Sequence, residues 1–310
     1  MRILVTGGAG FIGSQVADRY LEEGHDILVL DNLSTGRREN LNARARFEEA
    51  DLGDFPEVEA VFRDFRPEVV SHHAAQIDVR HSVADPVDDA RQNILASINL
   101  FELCARHRVA RVIFASSGGA GYGEQEIYPA PESHPTRPES PYGIGKVTAE
   151  MYLHYYHRQR RFRATVLRYA NVYGPRQNHL GEAGVVAIFI TRMLQGGEPV
   201  VNGDGLQTRD YVYVSDVVEA NSVVLRKGAD GIFNIGTATE TDVVTLWREL
   251  ARHTGYTGPL KHGPAKAGEQ LRSVIDPAKA RRELGWAPTV DIPRGLQLTA
   301  GWYKKELADR

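Results

Sequence analysis

Apolar positions in the first 170 residues fall into two kinds of run that alternate along the chain. Short apolar blocks occur at Ile3-Leu4-Val5, Ile27 to Leu30, Val69-Val70-Ser71-His72, Val112-Ile113-Phe114-Ala115 and Thr165-Val166-Leu167-Arg168. Near-continuous blocks of this length suit strands buried on both faces, as in a parallel sheet. Between them, apolar residues recur at helical spacing. Ile12, Val16 and Leu21 form one such stripe, closed by Gly24, and the segment around Asn93 to His107 forms another. This β-α alternation predicts an α/β fold built on a doubly wound parallel sheet. Ligands of such a sheet lie beyond the carboxyl ends of its strands.

After Pro175 the pattern changes to a Gly-rich loop, a helix from about Val185 to Gln195, and short strands. Val214-Ser215-Asp216 and Phe233-Asn234-Ile235 read as returns to the main sheet. The expected division is therefore discontinuous. Residues 1–170 plus about 212–240 form one domain; about 171–211 plus 241–310 form a smaller lobe. No internal repeat or low-complexity segment interrupts this plan.

The first βαβ stretch carries specific chemistry. Ile3-Leu4-Val5 runs into Thr6-Gly7-Gly8-Ala9-Gly10-Phe11-Ile12-Gly13, a glycine turn opening a helix, and the next strand ends at Asp31. Glycines let backbone N–H groups approach a pyrophosphate at the helix N-terminus, and the acid accepts hydrogen bonds from a ribose hydroxyl. A lone glycine pattern is weak, but strand, turn, helix, strand and terminal acid in order are the context the motif needs. A carboxylate at Asp31 repels a 2′-phosphate, so NAD is the expected dinucleotide rather than NADP. Arg37 and Arg38 read as solvated loop charges.

A second constellation follows the strand at Arg111 to Ala115. It ends in Ser116-Ser117, and further on comes Ser140-Pro141-Tyr142-Gly143-Ile144-Gly145-Lys146. Ser140 is a good N-cap and Pro141 suits the first helical position. Tyr142 and Lys146 then share a helix face. A neighbouring ammonium favours a phenolate, and a serine hydroxyl can bond the same substrate oxygen. Such a set moves a proton on or off an alcohol as a hydride leaves or arrives. The plain alternative is a solvated Tyr–Lys pair. Only seven of the 37 basic residues are lysines, and Lys146 is the sole one before Lys227; this modestly favours a tunable ammonium there.

Together these motifs resemble the extended short-chain dehydrogenase/reductase family, most closely its UDP-glucose (UDP-galactose) 4-epimerase branch. The resemblance covers nearly the whole chain. It rests on the glycine turn, Asp31-Asn32-Leu33-Ser34, Asp51-Leu52, His73-Ala74-Ala75, Ser116-Ser117, Tyr142 to Lys146, Arg168-Tyr169-Ala170-Asn171-Val172-Tyr173-Gly174-Pro175, and Gln207-Thr208-Arg209-Asp210-Tyr211-Val212-Tyr213-Val214. It implies a Rossmann-type sheet with a smaller substrate-binding lobe. It also implies that Gly7, Gly10, Phe11, Ile12, Gly13 and Asp31 hold NAD. Asn32, Ser34, Asp51 and Leu52 would lie near its adenosine half, and Ala74, Asn93, Tyr142, Lys146 and Tyr169 near the rest. Ser117, Tyr142 and Lys146 would be catalytic. Ser117 and Tyr142 would meet the sugar, and Asn171 and Arg209 the diphosphate.

Two departures stand out. Lys266 occupies the family's arginine slot before Gly268-Glu269, which replaces a bidentate fork by a point charge; Arg272 is an alternative contact. The usual His-Leu-Ala-Ala reads His72-His73-Ala74-Ala75, but adjacent strand residues face opposite ways, so no metal pair is expected. By resemblance, the segment from Glu269 to Ser273 lines the sugar pocket. A serine at 273 leaves room for an N-acetyl group.

The implied reaction is epimerisation at C4 of a UDP-sugar, by hydride removal to a 4-keto sugar and return to the other face. A 4,6-dehydratase, a UDP-glucuronate decarboxylase or a UDP-glucuronate 4-epimerase is the alternative, and a non-catalytic NAD scaffold a second. Dehydratases and decarboxylases need an acid just after the catalytic hydroxyl, where this chain has Gly118-Gly119-Ala120-Gly121. A formal charge of −3 gives no basic field for nucleic acid. No stretch approaches the ~20 apolar residues of a membrane span. A single cysteine, Cys104, suits a reducing compartment, and the cytoplasm is the expected location. Tyr152, Leu153, Tyr155 and Tyr156, with the Asn93 to His107 helix, form a face expected to pair in a homodimer.

Overall fold

The computed structural model describes residues 1–179, 184–265 and 270–308. In chain order its elements are β1 (Arg2–Thr6), α1 (Phe11–Glu22), β2 (Asp26–Asp31), β3 (Arg46–Glu49), α2 (Phe55–Phe65), β4 (Val69–His72), α3 (Val79–Ala84) and α4 (Pro86–Ala90). One π-helical turn (Arg91–Leu95) joins α4 to α5 (Ala96–Arg106). There follow β5 (Arg111–Ser117), α6 (Gly118–Tyr122), α7 (Pro141–Arg158), β6 (Arg163–Tyr169), β7 (Asn171–Tyr173), α8 (Val185–Leu194), β8 (Val200–Asn202) and β9 (Thr208–Tyr213). The last are α9 (Val214–Lys227), β10 (Gly231–Ile235), β11 (Glu240–Asp242), α10 (Val243–Thr254), β12 (Lys261–Gly263), β13 (Arg272–Ser273) and α11 (Ile292–Ala308).

Seven parallel strands form the main sheet in the order β10-β6-β5-β4-β1-β2-β3. The strand order reverses between β1 and β4, and a ligand crevice opens at such a point. Successive strand residues alternate between two cores. Ile3 and Val5 pack with Val16 and Tyr20 of α1 and Val217 and Val224 of α9. Leu4 packs on the other face with Phe62 of α2, Leu100 and Phe101 of α5 and Leu153 of α7. Burial of both faces explains the unbroken apolar blocks.

The smaller lobe has its own sheet, in which β9 pairs with β7, β11 and β13, together with a β8–β12 pair. Tyr173, Phe189, Trp247, Leu296 and Tyr303 lie in its core. One expected strand is corrected here. Phe233-Asn234-Ile235 does return to the main sheet as part of β10, but Val214-Ser215-Asp216 opens helix α9 instead. Val214, Val217, Ala220 and Val224 recur at helical spacing and are buried, so the apolar run belongs to a helix face laid against α1. Among the described residues, no helix is long and apolar enough to cross a membrane.

Candidate active site

The glycine turn leaves β1 with no room for side chains. Gly7 has φ +67°, and a Cβ there would lie 2.5 Å from the Ala74 backbone nitrogen. A Cβ on Gly13 would lie 2.3 Å from the Gly7 carbonyl oxygen. Gly10 caps α1 without any side-chain hydrogen bond, so no side chain competes for the first-turn N–H groups. Phe11 and Ile12 begin that turn. Asp31, 7% exposed, accepts hydrogen bonds from the backbone N–H groups of Ala9 and Leu33, both at 2.9 Å. One acid thus ties the glycine turn to the end of β2, and a carboxylate has about four acceptor sites, which leaves capacity for ribose hydroxyls.

Asn32 donates to Asp51 at 2.7 Å and accepts from the Ser34 N–H at 3.1 Å; the Gly53 N–H donates to Asp51 at 2.7 Å. Leu52 is buried beneath this cluster. The donor set, the cradle that a Cβ would fill and the single acid fit a dinucleotide with a free ribose diol. Arg38 is ion-paired with Glu49. Asp31→Ala is expected to weaken NAD binding about tenfold or more, since hydrogen bonds to a charged group contribute roughly 1.5–3 kcal/mol each, with a relative gain for NADP. Titration of both dinucleotides checks this; an unchanged affinity ratio would mean that another group reads the ribose.

The catalytic candidates converge at the ends of β5 and β6. Ser140 caps α7 by accepting from the Gly143 N–H at 3.1 Å, as its position predicts. The Ser117 hydroxyl accepts from the Ala120 N–H at 3.2 Å and lies near enough to Tyr142 to pull its phenol down. Lys146 Nζ donates to the Ala115 carbonyl at 3.0 Å and lies 5.9 Å from the Tyr142 ring centre. Burial holds Lys146 down to about 8, against the opposing pull of Glu150 and Asp89. The Tyr142 phenol is pushed up to about 12, by burial first and by Asp89 second, with the Ser117 hydrogen bond opposing. The ammonium is turned onto a backbone carbonyl, and desolvation disfavours phenolate more strongly.

Two buried networks flank this pair, and sequence reasoning missed both. Glu150, 6% exposed, accepts from Ser116 Oγ at 2.5 Å and from Arg168 Nη2 at 2.6 Å. Arg168 also donates to the Tyr122 hydroxyl at 3.0 Å, which donates to Asn234 at 2.8 Å. The signal was present in Tyr142, Lys146 and Glu150, spaced four apart on one helix face. On the other side Asn93 exchanges two 2.9 Å hydrogen bonds with the Gln76 backbone. Asn93 and the Gln76 side chain both donate to Asp89, each at 2.9 Å.

On the sugar side, a Cβ on Gly119 would meet Ser273 Oγ at 3.6 Å and Asn171 Oδ1 at 4.0 Å. Ser273 and Asn171 therefore stand beside the turn that follows Ser117. The parallel β9–β13 register sets Ser273 opposite Arg209 and Arg272 opposite Thr208, so Arg272 and Ser273 face opposite ways. Arg272 is taken up by a bidentate pair with Glu240, the closest contact 2.6 Å, and lies 3.9 Å above the Tyr128 ring. That commits it away from a diphosphate, contrary to the expected substitution for Lys266. Lys266 and Glu269 lie outside the described residues. Tyr169 is also placed differently: its hydroxyl accepts from Asn221 at 2.8 Å within the α9-side core, which leaves only its backbone facing the strand end. Adjacent His72 and His73 diverge as expected, to Thr6 and Ser97 for one and Ser71 for the other.

The family model for the NAD dependent epimerase/dehydratase family matches residues 3–236. The UDP-glucose 4-epimerase of Mycolicibacterium smegmatis is 41% identical over 314 residues, covering 99% of each chain. The crystal structure of the Thermotoga maritima UDP-glucose 4-epimerase with UDP-glucose superimposes with a TM-score of 0.97 at 48% identity, covering 99% of this chain and 100% of that one. The Thermus thermophilus UDP-glucose 4-epimerase, in complex with NAD, gives 0.94 at 44% identity over 98% and 99%.

Proposed function

The chain belongs to the NAD dependent epimerase/dehydratase family, and from that premise we propose that it interconverts the C4 epimers of a UDP-sugar, UDP-glucose and UDP-galactose first. The observation that carries this reading is the meeting of Ser117, Tyr142 and Lys146 beside a Gly118-Gly119-Ala120-Gly121 turn that bears no acid. The same acid-free turn disfavours a dehydratase or decarboxylase.

When bound in oxidised form, NAD supplies a hydride acceptor and a positive charge beside Tyr142. Tyr142, as phenolate, takes the C4 hydroxyl proton, and Ser117 hydrogen-bonds the same oxygen. Lys146 favours the phenolate and orients the nicotinamide ribose. The flat 4-keto sugar turns over while Asn171 and Arg209 keep the diphosphate anchored. Bound NAD would accept the C4 hydride and supply it again to the opposite face, and Tyr142 would return its proton to the C4 oxygen, so no outside redox partner is consumed. Residues 1–170 with about 212–240 hold the cofactor, and the remaining segments hold the sugar nucleotide. Lys266 and Glu269 belong to that second set. Buried Cys104 is compatible with the cytoplasm.

Separate incubation of the purified protein with UDP-glucose, UDP-N-acetylglucosamine and UDP-glucuronate, with products identified by NMR, tests the assignment. Formation of a 4,6-dehydrated or decarboxylated product instead of a C4 epimer would refute it.

Small Ser273, 4% exposed, extends the reading to N-acetyl sugars. Ser273→Tyr is expected to suppress turnover of UDP-N-acetylglucosamine far more than that of UDP-glucose, because a phenol ring would fill the space beside Gly119. Equal loss on both sugars would sink the gate.

The homodimer reading rests on exposed apolar side chains carried by α7 and the adjoining π turn, namely Leu95, Ile144, Met151, Tyr152 and Tyr155. Leu153 and Tyr156 are not among them: Leu153 is fully buried in the core, and Tyr156 turns inward, stacks on Phe162 and donates to Glu102. Apolar patches of this kind mark association surfaces. A monomeric mass by light scattering would argue against the pairing.

A further inference from the structure

Three of the four residues that follow Ser117 are glycines, in Gly118-Gly119-Ala120-Gly121. Such a stretch has wide conformational freedom, yet it forms the short helix α6, with Gly119 beside Ser273 and Asn171. A buried ion pair reaches it from both ends. Glu150 and Arg168 are 6% and 5% exposed and meet at 2.6 Å. Where the turn begins, Ser116 Oγ donates to Glu150 Oε1 at 2.5 Å. Where it closes, Arg168 Nη1 donates to the Tyr122 hydroxyl at 3.0 Å, and that hydroxyl donates to Asn234 of β10 at 2.8 Å.

The same pair fixes how α7 lies on β5. Lys146 and Glu150, one helical turn apart, grip consecutive strand residues: Lys146 Nζ donates to the Ala115 carbonyl at 3.0 Å, and Glu150 accepts from Ser116. Phe114 shares a core with Leu153 of α7. Ser116 lies on the strand face of Phe114, so Ser117 points the other way, where its hydroxyl accepts from the Ala120 N–H. Holding Ser116 therefore holds the direction of Ser117, and it ties that strand end to the helix that carries Tyr142.

We infer that Ser116, Glu150 and Arg168 are positioning residues for the reaction, a buried brace that holds the glycine turn so that Ser117 faces the same sugar oxygen as Tyr142. The inference deepens the proposed function and rests on its reading of Ser117 as a group that meets the sugar. A buried ion pair is weak evidence for stability, because desolvation cancels much of its attraction. Bracing a flexible turn gives it a use that stability does not.

The test releases one end of the turn at a time in the purified full-length protein. Ser116→Ala frees its start and Tyr122→Phe its close, and neither removes a charge from the core. With UDP-galactose, kcat should fall about tenfold in each, against the roughly 10²-fold that a 1 Å misplacement costs, while NAD content is unchanged. Ser116→Thr keeps the hydroxyl on a residue that suits a strand and should restore turnover. Because the brace acts through Ser117, Ser116→Ala should cost nothing further in a Ser117→Ala background, a coupling that general loss of stability does not produce. Tyr122→Phe puts the same question if Ser116→Ala does not fold. Parent turnover in either folded variant overturns the inference, even where the melting temperature falls. The same loss from Ser116→Ala with and without Ser117 overturns it too. Full turnover by Ser117→Ala would instead remove the reading of Ser117 on which the inference stands.

Discussion

Tyr142→Phe is expected to lower turnover by about 10²–10⁴-fold, the usual loss on removing a general acid-base group, while NAD stays bound. The ring is retained, so packing in the cleft and over α7 is unchanged. Only the oxygen that receives the sugar proton is lost. The hydroxyl of Ser117 keeps its bond from the Ala120 N–H, and the β5 end holds its shape. Because burial already pushes the phenol up to about 12, removing the oxygen exposes no new charge and should leave stability nearly unaltered. Turnover of UDP-galactose, NAD content after purification and a thermal melt give the three readings. Retention of more than half the activity would show that another group moves the proton.

Lys146→Met is expected to abolish turnover and yet raise the melting temperature near neutral pH. The sign follows from linkage. In the folded chain Lys146 is held at about 8, below its ordinary value of 10.5. Between those values the unfolded chain binds a proton that the folded chain does not, so stability rises with pH across that window. Below pH 8 the whole penalty is present. A displacement of this size corresponds to roughly 3 kcal/mol as an upper bound. That figure already includes the opposing attraction of Glu150 and Asp89. At 2–4 °C per kcal/mol for domains somewhat smaller than this one, that is still about a few degrees. The stabilisation should shrink as the pH approaches 10, where the folded parent has already lost the proton and the penalty falls towards zero at the unfolded midpoint of 10.5. Melts at pH 7 and pH 10 check it. A variant equally destabilised at both would show that the buried ammonium costs the fold nothing. Weakened NAD retention should accompany the loss of turnover; full occupancy with normal activity would reject the role of Lys146.

The two halves of the site differ in how local they are, and that decided what could be read in advance. The cofactor half runs from Ile3 to Asp31, within one βαβ unit. Glycine spacing, helix stripe and strand-end acid are all local properties of the chain, and the fold places them as their order implies. The Ser140 cap and the shared face of Tyr142 and Lys146 were legible for the same reason, since a helix fixes them by its own periodicity. Val214-Ser215-Asp216 was misread because a short apolar run suits either strand or helix until its packing partner is known.

Tertiary contact decided the rest. Asp89 meets Gly145 across 56 residues, counted between the two positions, and Ser116 meets Glu150 across 34. No local pattern announces which carboxylate will face which cation. The pairing of Arg272 with Glu240, the inward turn of Tyr156 and the core placement of Tyr169 are decisions of the same kind. Above all, the sequence named the proton-transfer groups but not their ionisation. It determined that a phenol and an ammonium share a helix face, from spacing alone. Only the folded environment sets the balance between charge attraction and desolvation, and burial wins at both Tyr142 and Lys146, because removing water from a charge acts over the whole surrounding volume while each partner acts along a single contact.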